Sequence, residues 1–179
     1  MFVAKDDNGK KIHITNTENG ADYFCPRCGE KLFLKKNGLY KAPHFSHYPG
    51  TMCKDSWHYD MSNWHFNWQN RFPVDCQEVD KRIGEQKHRA DVLIEECKTV
   101  IEFQHSNLSK EEFEDRNNFY NELGYKVIWV FDVVDQYEND KLFESYIPRR
   151  GEAYQWKYAK STFNGFQLDN NKVDLYFQF

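Results

Sequence analysis

The stretch from Arg89 to Gln104, RADVLI-EECK-TVIEFQ, constrains this chain most. Two runs rich in Val and Ile flank a charged turn, the pattern of a β-hairpin. Side chains alternate between faces along a strand. Asp91 therefore shares a face with Leu93, while Ala90, Val92 and Ile94 take the other. On the second run Glu102 and Gln104 share a face, opposite Ile101 and Phe103. With the faces matched across the turn, Asp91, Glu102 and Gln104 converge at one spot. Carboxylates set among buried strands are costly without compensation, and a divalent cation is the usual compensation.

The order Asp91, ten residues, Glu102, one residue, Gln104 resembles the PD-(D/E)XK nuclease signature, with Gln where the pattern has Lys. The wider context, HRADVLI, VIEFQHSNLS and FEDRNNFYNELGYKVIWVFD, resembles the CoiA-like competence-protein family across roughly residues 20 to 135. The resemblance implies an α/β fold: a restriction-endonuclease-like mixed sheet flanked by helices, with a small N-terminal zinc-binding lobe. It implies a metal-dependent endonuclease acting on DNA, in competence, mobile-element or defence settings.

Phosphodiester hydrolysis needs a metal to polarise the phosphate and acidify a water, in-line attack, and support for transition-state charge. Asp91 and Glu102 supply hard oxygen ligands suited to Mg²⁺ or Mn²⁺, with the Phe103 carbonyl as a further ligand. In the family pattern the Lys orients the water and supports the phosphate charge, whereas Gln104 can only hydrogen-bond. His65 and His88 are the histidines that stand to take over part of that task. His65 lies on the packed face of a helix, where this fold brings a side chain to the site. Glu78 is the carboxylate expected from the first strand. Arg89 precedes Asp91 and can hold a phosphate. Arg116 and Tyr120, one helical turn apart, project together, and in related nucleases such a pair holds the site or the DNA backbone.

Upstream, Cys25-Pro-Arg-Cys28-Gly has the form of a zinc knuckle, two thiolates on a tight turn. Zinc takes four ligands in a tetrahedron, and His44, His47 and Cys53 follow within thirty residues. The expected set is Cys25, Cys28, His47 and Cys53, with His44 as the alternative to His47 or Cys53. A fully protein-ligated zinc leaves no open position, so its role is structural. The CoiA-like family carries a CPxC and an HF-x-H motif at this place.

The 179 residues suit one domain plus a small appendage. We expect an N-terminal lobe of strands and zinc over residues 1–56, then a nuclease-like domain with a C-terminal β extension over residues 57–179. A formal net charge of −4 gives no global footprint for nucleic acid, so DNA contacts must be local. No apolar run suits a signal peptide or a membrane span. Five cysteines, an odd number, fit reduced thiols and metal binding, and with them a cytoplasmic protein. Cys76 and Cys97 lack the surroundings of a catalytic thiol.

Residues 55–72 have helical spacing, with Asp55 or Ser56 as cap and His58, Met61, His65, Trp68 and Phe72 on one stripe. A first strand covers about Val74 to Val79, and Gly84 marks a turn. Ser109 caps a helix over residues 110–123 that Gly124 ends. Residues 125–131 read as a strand buried on both faces. A polar loop at 135–140, a short helix at 141–147, a basic turn at Pro148-Arg149-Arg150-Gly151 and short antiparallel strands complete the chain. Two other function classes stay open: a nucleic-acid-binding module that has lost turnover, and a zinc-stabilised subunit that works with a protein partner or a second copy.

Overall fold

The computed structural model describes residues 1–36, 41–53, 61–147, 151–157 and 173–178. The N-terminal part forms an antiparallel sheet of β1 (Val3–Lys5), β2 (Lys11–His13), β3 (Tyr23–Phe24), β4 (Lys31–Lys35) and β5 (His44–His47), in the order β2-β1-β3-β4-β5. The β1–β2 turn is closed by the Asp6 carboxylate, which accepts the N–H groups of Asn8 and Lys10 at 2.9 and 2.8 Å. Phe2, Ala4, Ile14, Tyr23, Leu32 and Phe45 form the core of this lobe. Residues 37–40, between β4 and β5, lie outside the described residues.

Helix α1 (Asn63–Gln69) is shorter than the spacing suggested. Ser62 caps it, accepting the His65 N–H at 3.1 Å, while Asp55, Ser56 and His58 lie outside the described residues. A single 3-10 turn at Val74–Cys76 then delays the first strand, so β6 spans Gln77–Ile83. A tight turn at Gly84, with φ +54°, leads into β7 (Gln86–Ile94) and then β8 (Thr99–Gln104), all antiparallel. Helix α2 (Lys110–Glu122), capped by Ser109 at 3.1 Å, crosses over to β9 (Lys126–Asp132), parallel to β8. This is the crossover that parallel strands require.

β9 is not buried on both faces: Val127, Trp129 and Phe131 are buried against α2, while Ile128 and Val130 are only half-buried. The reason is length, since α1 has about two turns and shields less of its face than α2 does. The polar loop expected after β9 contains α3 (Val134–Glu138), and the helix expected at 141–147 is instead β10 (Leu142–Ile147), paired antiparallel with β11 (Gly151–Trp156). Alternating Leu142, Glu144 and Tyr146, with Leu142 buried at the root, suits a ribbon better than a helix. Pro148, Arg149 and Arg150 of the basic turn lie outside the described residues. β12 (Val173–Gln178) joins β9 in parallel, not antiparallel as expected, giving the mixed order β12-β9-β8-β7-β6. The α/β architecture is thus a mixed sheet flanked by helices, preceded by a small lobe that carries a Cys/His cluster. No described helix is long and apolar enough to cross a membrane.

Candidate active site and metal centre

The β7–β8 ladder pairs Ile94 with Thr99, Leu93 with Val100 and Val92 with Ile101, and it stops there. The next pair in register is Asp91 and Glu102. Instead of a backbone carbonyl, Asp91 Oδ2 accepts the Phe103 N–H at 2.8 Å, so the strands part around the two carboxylates. Two α1 side chains one turn apart hold Asp91 from below. Gln69 Nε2 donates to its carbonyl at 2.8 Å, and His65 Nε2 lies 3.2 Å from its Oδ1. Gln69 is fully buried, and its place four residues after His65 on an apolar helix is the signal that could have marked it.

Glu102 is wholly buried. Arg116 NH1 donates to its Oε2 at 2.7 Å, while the second amino group of Arg116 bonds to Glu112. The guanidinium also lies over the Trp129 ring, 5.7 Å from its centre. Glu102 Oε1 makes no hydrogen bond among the described residues. Burial, and after it the charge of Asp91, push Glu102 up to about 8, against the pull of Arg116. Burial opposes the charge on Arg116, but Glu102, Asp91 and Glu112 outweigh it and raise its pKa. Two buried carboxylates thus share one buried cation, and one carboxylate oxygen lacks a partner. A hard divalent cation fits that donor set.

Of the residues singled out in the sequence, the fold brings Asp91, Glu102, Phe103, His65, Arg116 and Tyr120 together, the Tyr120 hydroxyl helping Arg116 to pull the Glu102 pKa down. Tyr120 is fully buried one turn from Arg116, packed edge-on against Phe119. Arg116 and Tyr120 both sit in the interior. Gln104 shares a face with Glu102, but its amide donates to Ser106 O and Oγ at 2.8 and 3.2 Å. His88 packs edge-on against Phe119, 4.7 Å between ring centres.

Glu78 and Arg89 face elsewhere. Glu78, opposite Asp91, adopts φ +46°, a left-handed backbone that costs a non-glycine residue about 1–2 kcal/mol. The kink interrupts the β6–β7 pairing and turns the carboxylate to the N-terminal lobe, where it accepts the N–H groups of Phe2 and Val3. Arg89 lies 3.8 Å from Glu78 and 3.3 Å from Asp80. Asp80 in turn receives Arg27, the residue between the first two cysteines, at 2.6 Å. These charges join the two sheets, and no local spacing announces them.

In the N-terminal lobe Cys25, Cys28, His47 and Cys53 place one ligand atom each within 4.8 Å of one another. The Cys25 and Cys53 sulfurs are 3.9 Å apart, and Cys28 Sγ is 3.4 Å from His47 Nε2. A tetrahedron with zinc–sulfur bonds of about 2.3 Å has edges of about 3.8 Å. The group can therefore hold a structural metal such as zinc. His44 is not in the group: three residues before His47 on β5, it takes the opposite face of the strand, where its Nδ1 donates to Ala42 O at 2.8 Å. Burial raises the Cys53 thiol, with help from Cys28 and Cys25, to about 12. Burial would also raise Cys25, but the N–H groups of Cys28 and Arg27 outweigh it and lower that thiol.

Comparison with known proteins agrees in both parts. Residues 61–162 match the family model of the competence protein CoiA, nuclease-like domain, and residues 6–56 that of the competence protein CoiA, N-terminal domain. The competence protein CoiA of Bacillus subtilis (strain 168) is 27% identical over 119 residues, which cover 60% of this chain and 31% of that protein. The match thus spans under a third of the relative's length. No solved structure matches.

Proposed function

We propose that this chain, which belongs to the CoiA competence-protein family, is a cytoplasmic metal-dependent nuclease that hydrolyses DNA phosphodiester bonds. One observation carries the reading: Asp91 and Glu102 face each other, buried, where β7 and β8 part, with a carboxylate oxygen unbonded. Asp91 and Glu102 would hold Mg²⁺ or Mn²⁺, which supplies Lewis acidity to the phosphate and acidifies a water.

The chain's own residues prepare that site. His65 and the Phe103 N–H fix the two oxygens of Asp91. Arg116 fixes Glu102 and brings to this face the positive charge that Gln104 lacks. Residues 1–56 form, in this reading, a lobe braced by structural zinc, and residues 57–179 carry the nuclease centre.

The test is cleavage of plasmid and single-stranded DNA by wild type and Glu102→Gln, with Mg²⁺, Mn²⁺ or EDTA. Metal-dependent nicking that the substitution abolishes supports the nuclease. A second reading, a DNA-binding module without turnover, is favoured by one observation, the engagement of the Gln104 amide with Ser106. DNA binding by a zinc-loaded wild type that cuts nothing would select it.

A further inference from the structure

Strand β4 has two unlike faces. Leu32 and Leu34 turn to the core of the N-terminal lobe, so Lys31, Phe33 and Lys35 share the outer face. The β4–β5 register sets Phe33 opposite Ser46 and Lys35 opposite His44, and one step further it brings Tyr48 beside Lys31. The Phe33 and Tyr48 rings meet at 5.2 Å between centres, with their planes at 50°. Phe33 is half-buried and Tyr48 is 51% exposed. Lys35 Nζ lies over the Phe33 ring, 5.3 Å from its centre. Lys31 pairs with Asp22 at 2.7 Å, both side chains exposed. Such a pair is worth under about 1 kcal/mol, so a phosphate can take the place of Asp22. Lys35, Lys36 and Lys41 are exposed and pair with no carboxylate among the described residues. Residues 23–48 hold five Lys or Arg against one Glu, in a chain whose formal net charge is −4.

Exposed rings interleaved with cations are what a single strand of nucleic acid requires of a surface: base faces stack on the rings and phosphates follow the cations. A duplex keeps its base faces in its own stack, so such rings reach only unpaired bases. The other exposed aromatic group does not offer the same. Tyr137 and Tyr154 lie 6.2 Å apart, and both hydroxyls reach Glu144, at 3.5 and 3.2 Å, a charge that repels phosphate. We infer that the outer face of β4 and β5 is a binding surface for single-stranded DNA. Phe33 and Tyr48 stack on bases, and Lys31 and Lys35 contact phosphates, with Lys36 and Lys41 beside them. The surface supplies the local positive charge that the chain as a whole lacks. It works without Asp91 or Glu102, and only the choice of DNA over RNA rests on the nuclease reading above.

The experiment uses the full zinc-loaded chain without Mg²⁺ or Mn²⁺. It reads the fluorescence anisotropy of a labelled oligothymidylate of about 20 nucleotides, of the matching RNA strand and of a duplex of that length. Wild type is expected to bind the DNA strand about 10-fold or more tightly than the duplex. Phe33→Ala combined with Tyr48→Ala weakens strand binding by about 10-fold or more, with zinc content unchanged. Tyr48→Ala alone removes an exposed ring outside the core and weakens binding by about 5-fold, whereas Tyr48→Phe keeps the ring and the affinity. Lys35→Gln lowers the slope of log affinity against log salt by about 0.7. Strand binding by Tyr48→Ala and by the double variant within about twofold of wild type overturns the inference, as does equal wild-type affinity for strand and duplex. Tighter binding of the RNA strand overturns the assignment to DNA. Plasmid cleavage with Mn²⁺ separates the two readings. A wild type that cuts DNA but binds strands without regard to the two rings removes this inference alone. One that binds through the rings and cuts nothing removes the nuclease reading alone.

Discussion

Arg116 holds Glu102 Oε2 at 2.7 Å with both side chains almost wholly enclosed, yet the carboxylate is still pushed up to about 8 by burial and by Asp91. The unfolded chain releases that proton near the ordinary 4.5. Between those values the folded chain holds a proton that the unfolded one has lost. The contribution is therefore fully present below about pH 4.5, and stability falls as pH rises through about 8. Urea titrations of metal-free protein across that window should show the fall in wild type and a flatter profile in Glu102→Gln. Equal slopes for the two proteins would remove the linkage.

Arg116 also supplies the cation that the strand lacks. Arg116→Met should lower cleavage by about 100-fold or more, and Arg116→Lys by less. Adding Gln104→Lys to Arg116→Met should return part of the rate, because residue 104 shares the face of Glu102. A double variant no faster than Arg116→Met would mean that Arg116 serves packing over Trp129 rather than charge.

How far the sequence reaches is decided by locality. Alternation along β7 and β8 was legible because it is a property of the strands themselves, and the cross-strand register of Asp91 with Glu102 follows from it. The spacing of Cys25 and Cys28 is local in the same sense. The direction of Glu78 was not legible, because it depends on a positive φ and on the backbone of β1, some seventy-five residues away. Nothing local marks His105, which the register of β8 with β9 sets beside Asp132. The strand at Leu142–Ile147 was missed because its alternation is short and only Leu142 is buried, so its pairing with β11 was needed to decide between ribbon and helix.

The Arg27–Asp80 pair ties the cysteine knuckle to β6 at 2.6 Å, with side chains only 10% and 14% exposed. Removing one member of a buried pair costs about 3–5 kcal/mol, but Arg89 stays within 3.3 Å of Asp80. Arg27→Met should therefore destabilise by about 2–3 kcal/mol in urea while zinc stoichiometry stays the same. In a double-mutant cycle with Asp80→Asn the two losses should fall well short of additive. Additive losses would show that the pair does not couple the sheets.

Metal removal should act on the N-terminal lobe in the same direction, and more strongly. Cys25, Cys28, His47 and Cys53 converge within 4.8 Å, and without a cation the Cys53 thiol keeps its proton up to about 12. Zinc binding must then release protons, so apparent zinc affinity should weaken as pH falls. Chelation should lower Tm by roughly 10 °C, a loss of about 3–4 kcal/mol at this chain length, and added Zn²⁺ should restore it. Cys53→Ser should reproduce the chelated state. His44→Ala should leave zinc content unchanged, because His44 takes the face of β5 opposite His47 and lies outside the cluster. Loss of zinc in His44→Ala, with retention in Cys53→Ser, would replace the fourth ligand and require β5 to turn over by one face.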